Sequence, residues 1–167
     1  MNKSDHKYLS FGRYVTRCPS SLLRKVSKGT SHTDRITKRE VRVILKNIRA
    51  EFDPNKHPVF VTRDFRKSRF IGVRNILKKR QATCGSVATV VASVFRTLGI
   101  PTKLVNGYYR KRNPNMRHAW NEIYIESERK FIPFDITRKS YRLGRFHTRK
   151  DVWVDWADLE RVYRPGK

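Results

Sequence analysis

The sequence predicts an α+β protein, in which helices come first and a run of antiparallel strands follows. Apolar residues recur every three or four positions between Thr37 and Phe52, which is typical of an amphipathic helix. A nearly uncharged segment over residues 87–98 is apolar around much of its circumference, as expected of a buried helix. Short apolar runs between Lys103 and Ile136, separated by turn residues, then indicate consecutive strands.

The two helices carry recognisable boundary signals. Thr37 or Thr33 can cap the first, and Pro54 favours its end because proline disfavours helical geometry in the residue before it. Cys84 opens the second helix and Gly99 suits a left-handed C-terminal cap, with Pro101 preventing continuation. The valines in the second helix lower its intrinsic propensity, so packing by neighbours must stabilise it.

The strands are predicted over residues 103–109, 119–125 and 130–136, with a basic turn between the first two. The tail, residues 138–167, contains a short apolar run at Val152–Val154 and a helical signal for which Asp155 is the predicted cap. We expect residues 36–167 to form a single domain with this strand and helix tail. Residues 1–35 lack sustained periodicity and are predicted to form a basic, irregular extension.

The charge of the chain is unusual, with 39 Lys and Arg against 14 Asp and Glu, a net charge of +25. Residues 1–83 hold 22 of the basic and 6 of the acidic residues, so the excess lies mainly before Cys84. Such a density favours a polyanionic partner (DNA, RNA or a ribonucleoprotein) or an acidic protein surface, and an anionic membrane surface is a further possibility.

The segment 63–80 mixes basic residues with aromatic and aliphatic ones. Its cations are candidate phosphate contacts and its aromatics candidate stacking surfaces, although a solvated helix face with an apolar stripe fits the pattern equally well. The candidate nucleic-acid contacts are Arg63, Arg66, Lys67, Arg69, Arg74, Lys78, Lys79 and Arg80.

The cysteine content and the hydropathy pattern give an expectation for the cellular compartment of the protein. Cys18 and Cys84 are predicted to be free thiols, because a small oxidised domain normally holds more cysteines at closer spacing. There is no apolar run long enough to be a signal peptide core or a transmembrane helix. We therefore expect an intracellular, cytoplasmic protein. The histidines have no ligand spacing and acids do not cluster, so no metal or cofactor is expected.

A thiol, an imidazole and a carboxylate follow one another in the second half of the chain, at Cys84, His118 and Asp135. The start of a helix favours the thiolate form of cysteine, which is the nucleophilic form. If strands 119–125 and 130–136 form a hairpin about residues 126–127, His118 lies opposite Asp135, with Cβ atoms about 5 Å apart. A carboxylate could then orient the imidazole that deprotonates the thiol.

The residues around these three positions resemble the transglutaminase-like superfamily. The resemblance rests on the blocks Cys84-Gly85-Ser86-Val87-Ala88, Leu98-Gly99-Ile100-Pro101, His118-Ala119-Trp120-Asn121-Glu122-Ile123-Tyr124 and Phe134-Asp135-Ile136-Thr137. It implies a papain-like core, in which a nucleophile helix packs on an antiparallel sheet. It also implies Cys84 as nucleophile, His118 as general base and acid, and Asp135 as the residue that orients His118.

The resemblance and the local chemistry together predict a thiol enzyme that acts on an amide through a thioester, by hydrolysis or acyl transfer. In animal transglutaminases, which the sequence resembles, the indole of a tryptophan before the cysteine supplies an oxyanion contact. No tryptophan precedes Cys84 here, so the Cys84 backbone N–H and Gln81 are the candidate oxyanion donors. Trp120, Gly85 and Ser86 are candidates for lining the substrate cleft of a peptide or protein substrate. The alternative prediction is a basic nucleic-acid or ribonucleoprotein binding protein, in which the triad is idle or secondary.

Overall fold

The computed structural model of the chain describes residues 3–31, 35–52, 72–80, 82–109, 117–138, 140–143 and 147–158. Its helices are α1 (Ser20–Val26), α2 (Lys38–Ala50), α3 (Val73–Lys79) and α4 (Cys84–Thr97), and short 3-10 helices span Lys3–Leu9 and Glu126–Glu128. Its strands are β1 (Thr102–Tyr109), β2 (Arg117–Ile125), β3 (Lys130–Phe134) and β4 (His147–Trp153), paired in the antiparallel order β3-β2-β1-β4. The predicted α+β class is confirmed.

Helix α2 begins at the predicted cap. The Thr37 hydroxyl accepts a hydrogen bond from the Glu40 backbone N–H, and the Glu40 carboxylate accepts one from the Thr37 N–H at 2.9 Å. This capping box satisfies two backbone donors that the first turn leaves without intrahelical partners. The buried face of α2 then packs into the main core, and its buried members are Val41, Ile44, Leu45 and Ile48.

Helix α4 is buried along most of its length, as its sequence predicts. The Asn121 side chain of β2 donates a hydrogen bond to the Ala88 carbonyl at 3.1 Å, which fixes the helix on the sheet. Gly99 follows the helix with φ at +80°, a left-handed conformation that glycine adopts without steric cost. Within the described part of the chain, no helix combines the length and the apolarity needed to span a membrane.

The prediction of an irregular extension over residues 1–35 is wrong for the part that the structure describes. Leu22 and Val26 of α1 belong to the main core, although the segment shows little periodicity. The backbone N–H groups of Tyr14 and Val15 donate to the buried Asp155 carboxylate at 3.0 and 2.8 Å. These hydrogen bonds join the N-terminal segment to Asp155, about 140 residues further along the chain, and local periodicity does not reveal such contacts.

The hairpin between β2 and β3 forms in a different register from the predicted one. Ile125 pairs with Lys130, so the loop holds four residues instead of two, and Arg129 closes it in a left-handed conformation with φ at 51°. Continuation of this register places Asp135 opposite Trp120 and diagonal to His118. The difference is two residues, and since side chains alternate with period two, Asp135 keeps the predicted face.

Strand β1 lies at the centre of the sheet between β2 and β4, and Gly107 marks its closest approach to them. A Cβ at this position would meet the Thr148 carbonyl oxygen and would lie 2.5 Å from Cη2 of Trp120. The Trp120 ring of β2 therefore lies against the glycine, where any other residue would displace it. The absence of a side chain at Gly107 allows the indole to pack next to the sheet backbone.

We expect Gly107→Ala to lower the free energy of unfolding by about 2 kcal/mol or more, because the added methyl group overpacks a rigid site formed by backbone and an indole ring. Urea denaturation followed by circular dichroism measures this loss. Gly72→Ala is the matched control, since its Cβ would lie 3.7 Å from the nearest atom and its loss at a helix cap should be below about 1 kcal/mol. Equal losses for the two variants would contradict the packing argument.

Candidate active site

Cys84 is the first residue of α4, where the sequence places it. The Thr83 and Ser86 side chains form a reciprocal capping box at this end of the helix. The backbone N–H groups of the first turn have no intrahelical acceptors, and together with the helix dipole they favour a negative charge at this position. The Gly85 and Ala119 N–H groups make hydrogen bonds to the thiol itself.

His118 links the thiol to a carboxylate. It makes a side-chain hydrogen bond with Cys84, and its Nε2 lies 3.0 Å from Oδ2 of Asp135. Because the pKa of Asp135 is far below neutrality, its carboxylate can only accept, and Nε2 must carry the proton. The remaining ring nitrogen, Nδ1, is thereby the one that can exchange a proton with the thiol. The structure therefore brings together the three residues predicted as a triad.

The pKa values of the three groups shift in the directions expected of a buried ion pair. Burial alone would raise the pKa of the Cys84 thiol, but the hydrogen bond and charge of His118, together with the Ala119 and Gly85 N–H groups, hold this pKa below its ordinary value. Burial likewise opposes protonation of His118, yet Asp135 and Cys84 raise its pKa to about 10. Both shifts favour a thiolate beside an imidazolium over the neutral pair.

Asp135 lies just beyond the end of β3 and is 1% exposed. Its Oδ1 accepts hydrogen bonds from the Thr137 backbone N–H at 2.9 Å and from the Thr137 hydroxyl at 2.6 Å. Burial would raise the pKa of this carboxyl group, but His118 and Thr137 lower it to about 2. The short spacing Asp-x-Thr is a local signal for such a turn, since aspartate side chains often bond the backbone two residues on.

His147, the first residue of β4, is a member of the site that sequence reasoning missed. Its Nε2 lies 3.0 Å from Oδ2 of Asp135, and its side chain is 1% exposed. The sequence spacing of the histidines gives no hint of this contact. His118, Asp135 and His147 offer ligand atoms within 4.8 Å of one another, so the group could in principle hold a metal ion. Both Nε2 atoms are, however, at hydrogen-bond distance from one carboxylate oxygen, and a metal would have to replace both protons.

Of the other predicted site residues, one lies outside the described part of the chain and three are buried. Gln81 lies outside the described residues. Trp120 is 1% exposed and Ser86 7%, with the Ser86 hydroxyl engaged in the helix cap, and Gly85 is buried. All three residues are buried, so none of them presents an exposed side chain to a substrate.

Four of the predicted nucleic-acid contacts lie outside the described residues: Arg63, Arg66, Lys67 and Arg69. Arg74, Lys78 and Lys79 are exposed on α3. Arg80 donates to the Glu51 backbone carbonyl at 2.9 Å and pairs with its carboxylate at 3.3 Å, so this guanidinium has a structural contact. Nucleic-acid binding stays a prediction based on charge.

Comparisons with known proteins show the family and the fold of the chain. The sequence profile of the family described as "Transglutaminase-like superfamily" matches residues 22–136, which confirms the resemblance. A candidate cysteine protease from Cytophaga hutchinsonii has a similar fold, with a TM-score of 0.65 and 21% identity over 95% of this chain and 50% of that one. The periplasmic domain of TgpA from Pseudomonas aeruginosa, bound to ethylmercury, gives a TM-score of 0.54 at 22% identity over 81% of this chain and 49% of that one.

The chain thus spans about half the length of these two solved proteins, with 50% and 49% of their chains covered. Their low identity makes the likeness one of fold. Comparison with curated protein sequences gives no significant match.

The two cysteines should differ sharply in reactivity. Burial raises the pKa of Cys18 to about 12, whereas the pKa of Cys84 lies below its ordinary value. We expect iodoacetamide at pH 7 to alkylate Cys84 alone in the folded protein, with a midpoint of the pH profile below the ordinary cysteine value of about 8.5. Mass spectrometry of quenched samples measures both sites.

His118→Ala should move the Cys84 midpoint above the ordinary value, because the cost of burying a thiolate remains while the imidazolium is lost. Denaturation should make Cys18 and Cys84 equally reactive, which checks that the difference arises from the fold. An unchanged midpoint in the His118 variant would refute the ion pair.

Proposed function

Because the chain belongs to the transglutaminase-like superfamily, we propose that it is a thiol enzyme that acts on an amide, in a peptide bond or a glutamine side chain, through a thioester on Cys84. The observation that carries this proposal is the contact chain from Cys84 through His118 to Asp135, with the last step at 3.0 Å. The same chain of contacts supplies a nucleophile, a group that can give and take a proton, and a carboxylate that orients it.

The first half of the proposed reaction forms the thioester. The Cys84 thiolate attacks the amide carbonyl carbon, and the carbonyl π electrons move to the oxygen. Collapse of this intermediate breaks the C–N bond, and the leaving nitrogen takes the proton from the His118 imidazolium. The amine or ammonia departs, and His118 is left neutral with Nε2 still hydrogen-bonded to Asp135.

The second half transfers the acyl group. Water or a primary amine attacks the thioester carbonyl carbon, and neutral His118 takes a proton from this attacking group. The C–S bond then breaks and restores the thiolate. Water gives a carboxylic acid, and an amine gives a new amide. Both outcomes use the same residues, and exclusion of water from the site determines their ratio.

The backbone N–H of Cys84 is the proposed donor to the developing oxyanion. Cys84 is the first residue of α4, where helical geometry leaves the N–H without an intrahelical acceptor. Such a donor, pointing to where the charge develops, typically contributes about 3 kcal/mol of transition-state stabilisation. The Gly85 N–H is already engaged with the sulfur, and this contact favours the thiolate before the attack.

A glutamine-containing dipeptide, with and without hydroxylamine as acceptor, tests the reaction through release of ammonia and formation of hydroxamate. We expect Cys84→Ala to abolish turnover, by at least about a thousandfold, because the covalent route is lost. Asp135→Asn should reduce turnover by more than about tenfold, because the imidazolium loses a charged hydrogen-bond partner. Cys18→Ala, which removes the other thiol, is the matched control and should retain activity.

Wild-type protein that releases ammonia from glutamine substrates and new amino termini from peptide substrates as slowly as the Cys84 variant would contradict the proposed function. Peptide-bond substrates of varied sequence extend the test from the side-chain amide to the backbone amide. The ratio of acid to hydroxamate then reports whether water or an amine accepts the acyl group.

We also propose that the basic surface recruits a polyanion or an acidic protein surface to this site. The net charge of +25 supports this proposal, as do the exposed Arg74, Lys78 and Lys79 of α3. Binding to single-stranded RNA should weaken steeply with salt and should be unchanged by Cys84→Ala. The triple Gln variant of these three residues should lower the salt slope by about three.

The matched control for this surface replaces Arg42, Lys46 and Arg49 of α2 by Gln, which removes the same charge from another exposed face. Equal loss in the two triple variants would refute a localised surface on α3. The absence of binding at low salt would refute recruitment by nucleic acid and leave an acidic protein as the partner to test.

A further inference from the structure

His147 is buried against the proposed triad but has no part in the proton transfers. It lies on β4, at the edge of the sheet, whereas His118 lies on β2 and Asp135 follows β3. The ring centroids of His118 and His147 are 5.6 Å apart, and the Trp120 ring lies 6.1 Å from the first and 5.8 Å from the second. The imidazole therefore reaches Asp135 across the central strand β1.

A β-bulge gives His147 this orientation. Asn106 of β1 lies opposite Asp151, whereas the next residue, Gly107, lies opposite Arg149, so the register shifts by one residue between them. Beyond this shift, Tyr109 pairs with His147, and in an unbroken register it would pair with Thr148. Because residues that face each other across a ladder share a side, the bulge exchanges a threonine for a histidine on the side of the triad.

Four donors occupy the Asp135 carboxylate. Thr137 donates twice to Oδ1, at 2.9 and 2.6 Å, and His118 and His147 each donate to Oδ2 at 3.0 Å. A carboxylate offers about four lone-pair sites, so this set is complete. The two contacts on Oδ2 fix the direction in which that oxygen faces, whereas the contacts of Thr137 on Oδ1 are local to the turn.

We propose that His147 is a positioning residue for the triad: its Nε2–H holds Oδ2 of Asp135 in the orientation that keeps His118 aimed at Cys84. This inference rests on the proposed function, since it concerns the same site. Without His147, Oδ2 can rotate away from His118, and the imidazolium loses part of its stabilisation. The Cys84 thiolate, which depends on that imidazolium, then forms only at higher pH.

The contacts of His147 distinguish the positioning role from proton exchange with Cys84 and from metal binding. Its Nε2 faces the carboxylate, so it is not the nitrogen that exchanges a proton with Cys84. A metal-ligand role would need this nitrogen deprotonated, and an amide side chain could not replace it well. A positioning role needs only an N–H donor at the same place, and glutamine can supply one because its side-chain nitrogen lies close to the place of Nε2.

The test compares His147→Leu, which removes the donor, with His147→Gln, which retains one. The readout is the pH profile of Cys84 alkylation by iodoacetamide in the full chain, with 1 mM EDTA at about physiological ionic strength. We expect the Leu variant to raise the midpoint by about one pH unit and the Gln variant to remain within about a third of a unit of wild type. Thr148→Leu, on the exposed side of the same strand, is the matched control and should leave the profile unchanged.

A second comparison separates positioning from a general loss of structure. If His147 acts through Asp135, then His147→Leu should add no further shift in an Asp135→Asn background, since that carboxylate no longer needs to be oriented. Circular dichroism and the thermal midpoint establish that each variant is folded. Should the Leu variant fail to fold, His147→Ala, which also removes the donor but adds no bulk, takes its place in the same comparison.

Several results would overturn the proposal. A midpoint unchanged or lowered in His147→Leu would mean that His147 does not stabilise the ion pair. Equal shifts of the midpoint in the Leu and Gln variants would mean that the imidazole itself, and not its N–H donor, affects Cys84. A full shift of the midpoint in the Asp135→Asn background would mean that the effect comes from the imidazole or the strand and does not pass through Asp135. Protection of wild-type Cys84 by Zn²⁺ without EDTA, lost in both variants with unchanged midpoints, would make His147 a metal ligand instead.

These outcomes remain distinct from a failure of the proposed function. If wild-type Cys84 shows no lowered midpoint and no turnover, the thiol enzyme itself is excluded. If wild-type Cys84 is reactive and His147→Leu matches it, only the positioning role is excluded.

Discussion

The arrangement of the site depends on one buried charge, the carboxylate of Asp135. A carboxylate that is 1% exposed is costly unless hydrogen bonds or an opposite charge compensate it, and here both are present. Its partners come from β2, from β4 and from the turn after β3, so the charge can be satisfied only when these segments are assembled. The same contacts that stabilise the charge also fix the imidazole of His118.

The thiolate of Cys84 depends on that imidazole in turn. Burial opposes its charge, and the N-terminus of α4 offsets this only in part, because the effect of a helix end is modest. His118 supplies the larger compensation. The opposite shifts of the two pKa values, lower for the thiol and higher for the imidazole, are two expressions of one interaction. Removing either partner would leave the other as an unpaired buried group.

The sheet contributes geometry that no single element provides. Gly107 lets the Trp120 ring lie against β1, and that ring contacts both imidazoles, so rings from β2 and β4 meet over the central strand. The register shift between β1 and β4 reverses the sides of the residues that precede it on β4. Bulges are common near active sites for this reason: they reorient a side chain without a change in the number of strands. The net charge of the chain, +25, concerns the partners that it attracts and not the geometry of the triad.

The sequence by itself determined helices α2 and α4, the capping of α2, the position of Cys84 at the start of α4 and the candidate triad. Each of these follows from local periodicity, from cap residues or from short motifs, which depend on neighbours a few positions away. The face of Asp135 was also predictable although the register was not, because a shift of two residues preserves the side of a strand. Only the tertiary structure decided the four-residue loop after Ile125, the packing of residues 3–31 onto the core and the place of His147. The physical reason is that these features arise from contacts between distant segments and from a one-residue register shift between two strands, and neither leaves a periodic signal in the chain.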